Sequence, residues 1–104
     1  MPYARINMVD FKSREEMQQV ITHLSANMKT VFPEIRSFVS METSETSQIT
    51  ISVYDNKEAA DRAVAQRDTH LKNKDLVDMF AHEGNVNRFY VEEEQLTNLL
   101  KGGS

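Results

Sequence analysis

The sequence predicts an α+β fold in which one four-stranded antiparallel sheet carries two helices on one face, in the order βαββαβ. Three observations lead there. Segments of apolar/polar alternation recur four times along the chain. Two longer segments repeat apolar residues every three or four positions. The polar stretches between them are short, so 104 residues leave room for one domain, expected over 1–93, and no internal linker.

Each element follows from its own residues. In "YARINMVDF", Ala4, Ile6 and Met8 point one way and Tyr3, Arg5, Asn7, Val9 and Phe11 the other, which is a strand. "SREE" opens a helix, with Ser13 as N-cap and Glu16 three residues on as its capping-box partner. Met17, Val20, Ile21, Leu24, Met28, Val31 and Phe32 form its apolar stripe, and Pro33 ends it. "EIRSFVSME" is a second strand, with Ile35, Ser37, Val39 and Met41 on one face and Arg36, Phe38 and Ser40 on the other. The polar "TSETS" joins it to "QITISVY", where Ile49, Ile51 and Val53 oppose Thr50, Ser52 and Tyr54, and the two make a hairpin.

Asp55 or Asn56 caps a second helix that runs at least to Leu71. "KNKDLVDMF" is expected to add a short helical turn after a break near Asn73. The last strand is expected in "EGNVNRFYVEE", with Phe89 and Val91 toward the core and Arg88 and Tyr90 away from it. Residues 94–104 are a tail, in which Leu96, Leu99 and Leu100 have helical spacing and the closing Gly-Gly-Ser has the composition of a linker.

This order is the split βαββαβ of ferredoxin-like folds. Both helices are expected to cover the more apolar sheet face, made of Ala4, Ile6, Met8, Val39, Ile49, Ile51 and Val53. The other face would carry Tyr3, Arg5, Asn7, Val9, Arg36, Phe38, Thr50, Ser52, Tyr54, Arg88 and Tyr90. Its mixture of aromatic rings, arginines and hydroxyls matches interface composition and predicts a homodimer through the open sheet face.

Composition removes several function classes. A net charge of −4 and the lack of an RNP1 pattern argue against a nucleic-acid partner. No apolar run is long enough to span a bilayer, and "MPYARINMVD" lacks the layout of a signal peptide, so a cytoplasmic location is expected. The absence of cysteine removes thiolate chemistry, and neither His-x-x-x-His nor His-Glu-x-x-His occurs, so no metal or cofactor is implied. Gly84 is the only glycine before the tail, which leaves no phosphate-binding loop, and no serine sits in a nucleophile elbow.

The stretch "ITISVYDNKEAADRAVAQRDTHLKN" joins a hydrophobic strand ending in Tyr54-Asp55 to a Lys-Glu-Ala-Ala-Asp helix start. It resembles the small antibiotic-biosynthesis-monooxygenase-like domains of the dimeric α+β barrel superfamily, in element order over residues 3–93 and in detail near residues 52–65. The resemblance implies a homodimer whose two sheets close into one barrel, with a pocket between helices and sheet in each subunit. It also implies activities found among members: cofactor-independent oxygenation of quinol-like or polycyclic aromatic substrates, or haem degradation. Those oxygenases lean on a tryptophan with Asn, Tyr and Arg, and the haem degraders on an Asn-Trp-His set; this chain has no tryptophan.

Three residues remain as candidates for chemistry. Arg67 interrupts the apolar side of the second helix among Ala60, Ala63, Val64 and Leu71. Either its stem packs along the core while its guanidinium meets a carboxylate or the rim, or it points into a pocket toward an anionic or phenolate oxygen. His70 on the edge of that face is a rim residue, an acid or base, or a haem ligand. Tyr54, at the strand end, is the alternative proton carrier. The leading expectation is a homodimer that binds an apolar aromatic ligand and acts as a cofactor-independent monooxygenase of quinol-like substrates through Arg67, His70 and Tyr54. A non-catalytic dimeric interaction module and a haem-binding or haem-degrading protein are the alternatives.

Overall fold

The computed structural model describes residues 1–71 and 76–92, with the side chains of 68–71 and 76–81 outside that description. The elements are β1 (Tyr3–Phe11), α1 (Arg14–Val31), β2 (Ile35–Glu42), β3 (Ser47–Tyr54), α2 (Lys57–Leu71) and β4 (Leu76–Asn85). The strands form one antiparallel sheet in the order β2-β3-β1-β4, the ferredoxin-like arrangement. No helix among the described residues is long and apolar enough to cross a membrane.

The helix starts are those the side chains dictate. Ser13 Oγ accepts the Glu16 amide at 3.2 Å, and Glu15 and Glu16 sit in the first turn, where the helix dipole favours them. Asn56, rather than Asp55, caps α2, because its Oδ1 accepts the Ala59 amide at 2.8 Å. Within α1, Asn27 leaves helical geometry at φ −128° and ψ 24°, and its side-chain amide donates to the His23 carbonyl at 2.9 Å. A side-chain amide thereby competes with the backbone ladder and kinks the helix. Beyond Phe32, whose amide closes on Met28 O at 2.8 Å, Pro33 prevents continuation.

The sheet faces are the reverse of the sequence expectation. The helices cover Tyr3, Arg5, Val9, Phe11, Thr50, Ser52 and Tyr54, all buried, together with the half-buried Asn7 and Phe38. Ala4, Ile6, Met8, Val39, Met41, Ile49 and Ile51 lie on the uncovered face, where Val39 is 58% and Met41 56% exposed. The physical reason is partnership. The polar groups of the mixed face find acceptors on α2 and β4, and its rings fill the space under Met17, Val20 and Leu24. An all-aliphatic face needs no such partners and can be left for another sheet. On β2, a register shift between Ile35 and Ser37 moves Ile35 to the helix side, so Ile35 and Val39 do not share a face.

The last strand also differs. Residues 76–85 form β4 instead of a helical turn, paired along β1 from Phe11–Leu76 to Tyr3–Asn85 with a register shift at Ile6/Asn7. A short apolar run such as "LVDMF" does not distinguish helix from strand by periodicity, and the free edge of β1 decides the matter by supplying hydrogen bonds. Phe89 and Val91, expected in the core, are 60% and 40% exposed, and Tyr90 is 80% exposed. The leucines of the tail and the break near Asn73 lie outside the described residues.

Met17 and Val31 are fully excluded from solvent under the helix–sheet layer. Met17→Ala is therefore expected to lower unfolding free energy by about 2–5 kcal/mol, measurable as a fall in urea midpoint at unchanged slope.

Candidate functional site

Between the sheet and the two helices lies a cavity of about 70 Å³. Its floor is the mixed sheet face, laid out in cross-strand rows. Phe38, Ser52 and Arg5 stand side by side, then Thr50 beside Asn7, then Gln48 beside Val9. Val20 and Leu24 from α1 and Ala60, Ala63, Val64 and Arg67 from α2 complete the walls, with Phe11, Phe32 and Tyr54 at the margins. The three alanines Ala59, Ala60 and Ala63 bring α2 close to the sheet, since a larger side chain at these buried positions would lift it away.

The polar end is organised by Arg5, only 7% exposed although it is an arginine on a strand. Its guanidinium donates to the Ala60 carbonyl at 2.8 Å, to Asp61 at 2.5 Å and to Glu83 at 3.3 Å, and lies 5.7 Å from the centre of the Tyr3 ring. Tyr3 in turn donates its hydroxyl to Glu83 at 2.5 Å, and Lys57 reaches Asp61 at 3.0 Å. Burial works against the charge on Arg5, but the hydrogen bonds to Asp61 and Glu83 more than offset it and hold its pKa above the ordinary value. Arg5 is thus committed to tying β1 to α2 and β4.

Tyr54 is different. Burial pushes its phenol above the ordinary value, opposed by the Ser52 hydroxyl and by the positive fields of Arg5 and Arg67. At neutral pH it is a protonated donor and not a base. Asn7 supplies the opposite polarity, because its Oδ1 is buried with no hydrogen-bond partner among the described residues. A buried acceptor left dry costs about 1–3 kcal/mol, so this atom is suited to meet a donor from a ligand.

Of the residues singled out from the sequence, Tyr54 and Arg67 line the same cavity. The His70 side chain lies outside the described residues; its backbone belongs to α2, three positions after Arg67. Arg5, Asn7, Thr50 and Ser52, which the alternation predicts to face outward, lie on the cavity floor, and Gln48 joins them there. A usable signal was present: Tyr3, Arg5 and Asn7 share one face of β1 with Val9 and Phe11, so hydrogen-bonding groups and core rings had to be buried together. His23 and His82 are exposed, and among the described residues no group of three or more potential ligands gathers to hold a metal ion.

No family model matches the chain, and no curated protein does. Solved structures share its fold. A dimeric ferredoxin-like protein from an uncultured marine organism superposes with a TM-score of 0.64 at 14% identity, over 88% of this chain and 100% of its own. SnoaB, a cofactor-independent oxygenase from Streptomyces nogalater, gives 0.59 at 18% identity, over 88% of this chain and 98% of its own. A second dimeric ferredoxin-like protein from an uncultured marine organism gives 0.61 at 9% identity, over 86% of this chain and 98% of its own.

The ion cluster makes a pH prediction. Asp61 is held below the usual carboxylate range by its hydrogen bonds from Arg5 and Lys57, and Glu83 by those from Tyr3 and Arg5. A carboxyl depressed in the folded state stabilises above its unfolded pKa of about 4, and that stability is lost as pH falls through the folded value. Urea midpoints are expected to fall between roughly pH 5 and 3, and less steeply in Glu83→Gln. Equal acid slopes would show that Glu83 contributes no such linkage.

Proposed function

We propose that the protein is a cytoplasmic homodimer whose subunits each hold a small, largely apolar aromatic ligand between α2 and the sheet, and that it oxygenates an electron-rich, quinol-like ring without a bound cofactor. The observation that carries this reading is the apolar cavity in which Arg67, Tyr54 and Asn7 Oδ1, an acceptor with no hydrogen-bond partner among the described residues, supply complementary polar groups. The fold shared with SnoaB, a cofactor-independent oxygenase, supports it.

In this reading the ring packs against Phe38, Leu24 and Val64, and one ring hydroxyl donates to Asn7 Oδ1. The developing phenolate at the other end is stabilised by the Arg67 guanidinium and by a hydrogen bond from the protonated Tyr54. His70 is the residue assigned to accept the ring proton. Oxygen then adds to the electron-rich ring: one atom stays as a new hydroxyl, the other leaves as water, and oxidation of the quinol to a hydroxyquinone supplies all the electrons.

A non-catalytic dimer is the second reading, favoured by the small size of the cavity. A haem is far larger than about 70 Å³, so haem binding gains no support from the available space. The dimer itself is inferred from the uncovered aliphatic sheet face and from the dimeric proteins that share the fold. The two faces would meet about a twofold axis.

Three measurements test these statements. A saturable thermal shift with a hydroquinone panel, weakened roughly tenfold or more in Arg67→Leu, would support the ligand site, and oxygen uptake with the same compounds would separate catalysis from binding. No shift with any compound would leave the non-catalytic dimer. In sedimentation experiments, Ile51→Asp is expected to give a folded monomer where the parent is a dimer, because it puts a carboxylate in the centre of the aliphatic face. An unchanged dimer would exclude that face as the interface.

A further inference from the structure

We infer that the cavity accepts a single aromatic ring and excludes a fused second one, and that Phe38 is the residue that sets this limit. The inference rests on the ligand-binding reading above and narrows its substrate class to monocyclic phenols and quinols. About 70 Å³ is available, against about 150 Å³ for a cavity that takes up benzene. Even one ring therefore requires a wall to move, and two fused rings require more than one side chain to do so.

The three phenylalanines around the space are not equally able to move. Phe11 is buried on β1, a strand paired on both sides. Phe32 is buried at the end of α1, where its amide donates to Met28 O at 2.8 Å and its carbonyl accepts from the Ile35 amide at 3.2 Å. Phe38 is half-buried on β2, an edge strand, close after the register shift between Ile35 and Ser37. It is partly exposed to solvent and lies on a strand paired on one side only, so its displacement costs least.

Its position fixes what the displacement admits. Phe38 stands opposite Ser52, in the same cross-strand row as Arg5 and next to the Tyr54 end of the cavity. Rotation of its ring toward solvent opens about one ring's width beside the polar groups. Beyond that width the Phe38 ring itself stands where a fused second ring would lie, and Phe11, Leu24 and Phe32, which belong to the core, offer no other way to extend the space. Size selection therefore comes from one movable ring set against three fixed side chains.

Calorimetric titration with phenol and 1-naphthol tests this directly. More apolar surface ordinarily raises affinity, so a pocket with spare room prefers naphthol. The parent protein is expected to bind phenol saturably and naphthol at least roughly tenfold more weakly, and Phe38→Ala to reverse that order. Phe38→Leu, a milder change, should move the ratio in the same direction if the alanine variant does not fold. Naphthol binding as tight as phenol in the parent overturns the size limit and leaves the ligand site standing. An unchanged ratio in folded Phe38 variants overturns the assignment to Phe38. Failure of both compounds to bind the parent overturns the ligand site itself, and the inference with it.

Discussion

The buried guanidinium of Arg5 is the constraint around which the sheet is arranged. A charge taken out of water is tolerable only when it is paired and hydrogen-bonded, and a strand offers no side-chain partner of its own. Arg5 finds its acceptors on two other elements: a carbonyl and a carboxylate on α2, and a second carboxylate on β4. These bonds are available only if α2 lies over the face that Arg5 occupies. The same geometry explains why Tyr3 packs against the guanidinium and shares Glu83 with it. Removing Arg5 would take away the tie between β1, α2 and β4.

With the face of α2 settled, the rest of the architecture follows by alternation. Even residues of β3 and odd residues of β1 go under the helices, and with them the polar groups of Asn7, Gln48, Thr50 and Ser52. A floor carrying so many hydrogen-bonding groups does not close into a dense aliphatic core, and a cavity remains between it and the alanines of α2. The opposite face receives Ile6, Met8, Val39, Met41, Ile49 and Ile51, which have no helix to cover them. The cavity and the bare face are therefore two results of one choice of register. A single-residue slip in β1 would exchange them and bury Ala4 or Ile6 in place of Arg5.

The elements were legible in the sequence because each is written locally. Ser13, Pro33, Asn56 and the alternation of β1 and β3 need no tertiary information. The choice of covered face was not legible by apolarity alone, because the rule that the most apolar face meets the protein's own helices holds only for an isolated layer. Here Ile6, Met8, Val39 and Ile51 are more apolar than the face beneath the helices, and what decides is where Arg5 can be satisfied. β4 was misplaced for a related reason: "LVDMF" is too short to show a period, and its state is set by the open edge of β1, which lies some seventy residues away in sequence. Of the site, Arg67 was visible as an anomaly of pattern, and Tyr54 through its place at the strand end. Asn7 and Ser52 were not, because a polar residue on a strand reads as surface until its face is known.

Two arginines reach the pocket from different elements. Arg5 already faces Asp61 and Glu83, so its charge is largely compensated before any ligand enters. A ligand oxyanion near it would also meet the field of those carboxylates. Arg67 approaches from the opposite wall, on α2 one turn beyond Ala63, and is half-buried at the cavity. Both arginines lower the cost of ionising Tyr54, yet burial outweighs them and keeps the phenol protonated. The end of the cavity thus offers a hydrogen-bond donor and a cation together, a combination that stabilises negative charge as it forms on an oxygen. The acceptor of Asn7 offers the complementary contact to a hydroxyl that keeps its proton. A ring with one oxygen of each kind matches that arrangement, and a purely apolar guest would leave Asn7 Oδ1 buried and unsatisfied.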